Sequence, residues 1–313
     1  MILDKKFEEK FLNVSCRAAL SSYHYVGKND KIAADKAAVD SMRSELNKIN
    51  MSGRIVIGEG ELDEAPMLFI GEKLGTMNGP ELDIAVDPLE GTNFAAKNLP
   101  GALSVIAVSN KNNLFNAPET YMNKISAKVN EPNVIDLDYS ITKNIHNLSD
   151  YKNKSPEKLT ACILDRPRHK KMIEELRKLK VNIKLITDGD VSGALLVTDD
   201  KYGVDIFLGI GGGPEGVLAA CALDAFDCSF QGKFIFESEK DKSRAKKMGI
   251  KNFDKKYELN EIVSGDSIFC ATGITSGDLV SGIQIENDKF ISETLITHKS
   301  SGLKKLIKSK SEI

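Results

Sequence analysis

The sequence predicts an α/β protein, and three observations carry the prediction. Apolar runs of strand length, at residues 54–57, 82–86, 103–108, 159–164, 181–186 and 204–208, alternate with longer stretches whose apolar residues recur every three or four positions. Most of these runs stop abruptly at acidic, basic or glycine-rich segments, as strands do that deliver functional groups to one end of a sheet. The length of 313 residues exceeds an ordinary single domain and suits a two-lobed α/β unit. The polar, proline-terminated KNKSP at residues 152–156 is the best internal boundary, giving lobes of residues 1–155 and 156–313.

Taken in order, Phe7, Phe11, Val14 and Ala18 recur at helical spacing until GKND breaks the pattern. Val39, Met42, Leu46 and Ile49 mark the apolar face of a second helix. Asp30, Lys31 and Asp35 lie at its start, where acidic residues ordinarily cap a helix or stabilise its dipole. A turn at Met51, Ser52 and Gly53 leads into the strand 54–57 and then GEGELDEAP, whose glycines let the backbone bend tightly. The strand 82–86 delivers Asp87. Pro88 cannot extend a ladder, so the strand should end there and turn into Glu90, Gly91 and Thr92, where a helix opening on Gly-Thr offers backbone N–H groups to a phosphate. After the strand 103–108, KNN reads as a hairpin turn into a short strand ending near Ala117; 130–133 reads as a polar loop and 139–151 as a helix.

The second half repeats the alternation. RPRH follows the strand 159–164, a helix spans 168–179, DGD follows 181–186, and GIGGGPEG follows 204–208. Open α/β sheets place ligands at such carboxyl ends. Arg166 and Arg168 suit a phosphate, since a guanidinium fork pairs with its oxygens bidentately, and Asp188 and Asp190 suit sugar hydroxyls. A further strand, SIFCATG, follows Asp266, and the lysines of the tail SGLKKLIKSKSEI read as solvated.

The carboxylates Glu59, Glu61, Asp87 and Glu90, at the ends of two neighbouring strands, are hard oxygen ligands suited to a pair of Mg²⁺ or Mn²⁺ ions. Glu61, Asp63 and Glu64 are better read as a solvated acidic loop just past a metal site. Composition is that of an ordinary globular chain, and a net charge of −2 gives no bulk attraction to nucleic acid or to an anionic membrane. No stretch is long and apolar enough for a membrane span, and the N-terminus is too acidic for a signal peptide, so a cytoplasmic location is expected. Five scattered cysteines without a CxxC pair read as buried free thiols, Cys221 with Cys228 being the one pairing in reach. GIGGGPEG lacks the dinucleotide-binding spacing, and no serine, cysteine or histidine is arranged as a covalent nucleophile with a base; His169 reads as an orienting residue.

DPLEGT resembles the DPxDGT/DPxEGT signature of the lithium-sensitive sugar and inositol phosphatases. Together with IVIGEGELDEAPML, DIAVDPLEGT, RPRH, TDGD and GIGGGPEG in the same order, it resembles class II fructose-1,6-bisphosphatase over nearly the whole chain. The resemblance implies a layered αβαβα fold with two mixed-sheet lobes sharing one active site, and hydrolysis of the 1-phosphate of fructose 1,6-bisphosphate in gluconeogenesis or a related carbon cycle. It also implies a homo-oligomer, dimer or tetramer. GKNDKIAAD matches the family's metal-site motif, so Asp35 joins Glu59, Asp87, Glu90 and Glu215 as implied ligands of Mg²⁺ or Mn²⁺, with Asp30 and Lys31 beside them. Catalysis is implied for Asp87, Glu90 and Thr92, the last orienting water. Substrate contacts are implied for Glu90, Gly91, Thr92, Tyr121, Arg166, Pro167, Arg168, Asp188, Gly189, Asp190 and Gly212. Two departures stand out: Arg166 occupies a place where the family more often has lysine, and residues 230–247 look like a trimmed surface excursion. Within the same superfamily a dual fructose/sedoheptulose bisphosphatase or an inositol monophosphatase shares the metal core, and a sugar-phosphate sensor without turnover is the reading from another class.

Overall fold

The computed structural model describes residues 2–58 and 68–312, and the chain divides into two compact units, Met1–Asn116 with Val263–Ile313, and Ala117–Ile262. The first unit opens with α1 (Lys6–Tyr23), α2 (Lys31–Leu46), β1 (Ser52–Ile57), β2 (Lys73–Leu74), β3 (Glu81–Glu90), α3 (Thr92–Lys97) and β4 (Leu103–Asn110). The chain then builds the second unit from β5 (Tyr121–Ala127), α4 (Ile141–Lys152), β6 (Thr160–Leu164), α5 (Lys170–Lys178), β7 (Asn182–Ile186), α6 (Asp190–Leu195), β8 (Ile206–Gly212), α7 (Gly213–Ala225), β9 (Ser229–Ile235), α8 (Glu239–Lys247), β10 (Lys256–Glu258) and α9 (Leu259–Ile262). It returns to the first unit with β11 (Ser267–Gly273), β12 (Gln284–Glu286), β13 (Lys289–His298) and β14 (Leu303–Glu312). The result is α/β with two mixed sheets. The first runs β12-β13-β11-β4-β3-β1-β2, with β14 on the free side of β13, and the second runs β10-β9-β5-β8-β6-β7.

The helical periodicity of α1 and α2 has its expected cause. Phe7, Phe11, Val14 and Ala18 on α1 and Ala38, Met42 and Leu46 on α2 are buried in one core with Ile55, Ile84, Ile106 and Ile268 of the sheet. The second unit has its own core, in which Ile145 and Leu148 of α4 and Leu176 of α5 pack with Ile125, Ile163 and Leu208. All five cysteines are free and buried, Cys221 and Cys228 included, and burial drives the Cys221 thiol far above its ordinary range, which leaves it inert.

Four expectations need correcting. The division of the chain does not fall at residue 155: residues 117–155 supply β5 and α4, whose strand pairs with β8 and β9, so they belong with the second unit. Pro88 does not stop β3. The ladder with β4 passes from Asp87 opposite Val105 to Glu90 opposite Leu103, so three steps on β3 match two on β4, and the bulge takes up the proline that has no N–H to give. The hairpin strand ending near Ala117 is a single bridge, Leu114 to Val263. Residues 230–247 are a surface excursion only in part, because β9, which ends at Ile235, lies between β5 and β10 with Phe230 and Phe234 buried, whereas α8 is mostly exposed. The tail, too, is a strand, β14, which presents its lysines on the edge of the first sheet and so blunts it against further pairing.

Candidate active site

In the first unit the bulge sets the geometry. It turns the end of β3 so that Asp87 is partly exposed and Glu90 is 5% exposed, and the chain enters α3 at once through Gly91. Gly91 is the N-cap in the left-handed region (φ +79°), and a side chain there would press on the Phe94 ring. Thr92 is therefore the first helical residue, and its hydroxyl is not the cap. The last turn of α3 holds the loop that leads into α2: Gly27 N donates to Ala95 O at 2.9 Å and Asn29 N to Ala96 O at 2.8 Å. Asp30 closes that loop as N-cap of α2, accepting from Ala33 N at 2.9 Å, and Lys31 is exposed, so both have the ordinary roles of a helix start. Asp35 follows one turn later on α2 and is partly buried. Glu59, the remaining expected ligand from this half, lies outside the described residues.

The second unit collects its functional side chains by topology. β6 is parallel to both β7 and β8, so the carboxyl ends of all three lie on one edge of the sheet. The first ends in Arg166, Pro167 and Arg168, the second in Asp188, Gly189 and Asp190, the third in Gly212 and Glu215. β5 runs antiparallel to β8 and begins with Tyr121 opposite Gly212, which brings the tyrosine to the same edge. The Arg168 guanidinium lies over the Tyr121 ring at 4.7 Å and donates through Nε to Ile210 O at 2.9 Å. Arg166 reaches Asp188 at 3.8 Å. Gly189, at φ +83°, caps α6 as Gly91 caps α3.

His169 is fully buried. Its Nε2 accepts from Ile210 N at 2.7 Å, so Nδ1 carries the proton and donates to Leu164 O at 2.7 Å. With both nitrogens engaged, and with burial holding its pKa below the usual histidine range, it ties β6 to β8 and is no catalytic base.

The glycines of GIGGGPEG have a local reason. A side chain on Gly211 would run into the Asp190 carboxylate, and one on Gly212 into the Glu215 carboxylate. Burial pushes the Glu215 carboxyl above its ordinary range; Lys124 pulls it back, while Asp190 and Asp188 add to the rise. Lys124 is the residue that sequence reading missed. It is 1% exposed, forms an ion pair with Asp190 and donates to Gly212 O at 2.6 Å. A signal existed, because Met122, Lys124 and Ser126 share one face of a strand with buried neighbours, and a lysine in that company requires a buried partner.

Asp35, Asp87 and Glu90 of the first unit offer only oxygen donors, the kind that fit a hard divalent cation such as Mg²⁺ or Mn²⁺, and Glu215 of the second unit is a carboxylate as well. Among the described residues no three His, Cys, Asp or Glu side chains form a ready-made metal cluster. Among the described residues no helix is long and apolar enough to cross a membrane.

The sequence model of the family described as "Bacterial fructose-1,6-bisphosphatase, glpX-encoded" matches residues 5–311. A protein named D-fructose 1,6-bisphosphatase class 2/sedoheptulose 1,7-bisphosphatase, from Prochlorococcus marinus strain MIT 9301, is 41% identical over 302 residues, 92% of this chain and 91% of that one. One of the same name from Synechococcus sp. strain CC9902 is 41% identical over 300 residues, 91% and 90% of the two chains. Among solved structures, the extragenic suppressor protein suhB from Bartonella henselae shares 12% identity at a TM-score of 0.37, covering 63% of this chain and 73% of that one. An inositol monophosphatase from Anabaena shares 12% at a TM-score of 0.32, covering 62% and 71%. Those two superpositions are too loose to argue from. The sequence matches are not, and with the motif-bearing residues placed at strand ends as described, this chain belongs to the bacterial, glpX-encoded fructose-1,6-bisphosphatase family.

Proposed function

We propose that this chain hydrolyses the 1-phosphate of fructose 1,6-bisphosphate to fructose 6-phosphate and inorganic phosphate, with Mg²⁺ or Mn²⁺ held by Asp35, Glu59, Asp87, Glu90 and Glu215. The observation that carries this reading is the match along residues 5–311, which takes in every motif named above. When bound, a divalent ion polarises the phosphate and makes water a stronger nucleophile. The chain's own residues do the rest. Thr92, with a hydroxyl not used as the helix cap, accepts a hydrogen bond from the attacking water and so orients it. Asp87 and Glu90 supply negative charge on a bulge that fixes their spacing. Arg168, braced by Tyr121 and Ile210 O, and Arg166 hold the distal phosphate, while Asp188 and Asp190 accept from sugar hydroxyls. Pro167 and Gly189 shape the turns that present them, and Gly91 and Gly212 leave the backbone open to the substrate.

A second reading has a specific support, since the relatives named above carry both fructose and sedoheptulose bisphosphatase in their names. One experiment covers both: phosphate release from fructose 1,6-bisphosphate, sedoheptulose 1,7-bisphosphate, inositol monophosphate and a small phosphomonoester, with Mg²⁺, with Mn²⁺ and after exhaustive chelation. Metal-dependent release that favours the bisphosphates is expected. Full activity after chelation, or preference for inositol phosphate, would sink the proposal.

A further inference from the structure

A lysine is almost never fully buried unless paired, and the pairing of Lys124 is specific. Its ammonium is enclosed by three elements of the second unit: β5 carries it, Asp190 at the first residue of α6 receives one donor through Oδ2, and Gly212 O at the end of β8 receives another at 2.6 Å. The stem is confined as well, because a side-chain carbon added to Gly216 of α7 would stand 3.3 Å from Lys124 Cδ. Asp190 is fixed from the other side by the backbone of Gly211, against which its carboxylate packs too closely to admit a side chain. Its second oxygen, Oδ1, is buried and has no hydrogen-bond partner among the described residues, although the side chain as a whole is 11% exposed. A carboxylate held by one oxygen keeps acceptor capacity on the other, and what it lacks is a donor.

We propose that Lys124 is a positioning residue for substrate: by clamping Asp190 Oδ2 it holds Asp190 Oδ1 as the acceptor for a hydroxyl group of the sugar phosphate. The inference rests on the sugar-bisphosphatase reading above and adds to it the residue that fixes the sugar-binding carboxylate. Methionine in place of Lys124 keeps much of the stem and removes the ammonium. Asp190 is then free to turn, and the hydroxyl contact is lost without any change in the residues that meet the phosphate.

The test is a cycle of four proteins, the parent, Lys124→Met, Asp190→Asn and the double variant, titrated calorimetrically with fructose 6-phosphate, the product that is not turned over. Each single change is expected to weaken binding by ~10–100-fold, the scale of one lost hydrogen bond to a charged group, and the double should bind no more weakly than Asp190→Asn because the lysine acts through the aspartate. In Lys124→Met the loss in kcat/KM on fructose 1,6-bisphosphate should exceed that on a small phosphomonoester by ~tenfold, a split that general damage to the fold would not produce. If Lys124→Met does not fold, the double variant, in which both charges of the buried pair are removed together, carries the test by the same comparison with Asp190→Asn. Parent-like affinity in Lys124→Met, or losses that multiply in the double, would overturn the assignment. A parent that neither binds fructose 6-phosphate nor releases phosphate from the bisphosphate would overturn the functional reading, and the inference with it.

Discussion

In the first unit the corner that leaves β3 carries Asp87, Glu90 and Thr92, whereas in the second unit the corners that leave β6, β7 and β8 interleave Arg166 and Arg168 with Asp188, Asp190 and Glu215, and β5 adds Lys124 beneath them. The residues named in the first are acidic and hydroxylic; those named in the second include cations as well. Two carboxylates on one short bulge are oxygen donors of the kind a hard divalent ion takes, and we propose the first corner as the metal's. A surface of alternating guanidinium and carboxylate groups suits a ligand that is anionic at one end and rich in hydroxyls elsewhere, as a sugar phosphate is.

The largest expected effect sharpens the acidic corner. Thr92→Ala should lower kcat by ~100-fold or more with substrate and metal affinity nearly unchanged, since assistance to the attacking water acts in the transition state. Thr92→Ser should keep substantial turnover. Because Gly91 rather than Thr92 is the N-cap, neither change should alter stability as loss of a cap would. A Thr92→Ala enzyme within a few-fold of the parent would remove the hydroxyl from the mechanism.

Next comes the carboxylate that crosses the comparison. Glu215 lies in the second unit, where Lys124, Asp190 and Asp188 are the charges that act on it, and it is also one of the proposed metal ligands. If it binds metal, Glu215→Gln should weaken Mn²⁺ binding by ~tenfold, and added Mn²⁺ should raise the melting temperature of the parent more than that of the variant. Equal metal-induced shifts would return Glu215 to the sugar side.

Smaller still is a pH effect confined to the second unit. The His169 pKa is depressed in the fold, so the folded protein resists the proton that the unfolded chain takes up below about pH 6.5. The stability this histidine contributes is complete above that pH and is lost as pH falls toward its folded pKa, with a slope of at most ~1.4 kcal/mol per pH unit for one proton. His169→Gln, which can donate and accept once each without titrating, should flatten the fall in melting temperature between pH 7 and 5.5; an unchanged slope would mean that other groups carry it.

What was legible in the sequence follows the same division. The acidic corner is local: DPLEGT lies within six residues, and its glycine, threonine and two carboxylates are set by one bulge and one left-handed cap. The TDGD turn was legible for the same reason, since Gly189 repeats the device. The bulge itself was not, because Pro88 signals a stop to any local rule and only pairing with β4 reveals that the ladder resumes at Glu90. Lys124 and Asp190 are 66 positions apart, so nothing near either residue announces the pair. β5 and β14 escaped because Asn123 and Lys124 in one, and four lysines in the other, interrupt the apolar pattern by which strands are found. Each is paid for by position, in one case a buried ion pair and in the other a sheet edge.

The assignment of metal to the acidic corner and sugar phosphate to the mixed one is tested most directly by two calorimetric titrations, with Mn²⁺ and with fructose 6-phosphate, on the parent, Asp87→Asn and Arg168→Ala. Asp87→Asn should lose Mn²⁺ affinity by ~tenfold or more while it still binds the sugar phosphate. Arg168→Ala should lose ~10–100-fold in sugar-phosphate affinity, the scale of a charge-assisted contact of ~1.5–3 kcal/mol, while it binds Mn²⁺ as the parent does. Loss of metal binding in Arg168→Ala, or of sugar-phosphate binding alone in Asp87→Asn, would contradict it.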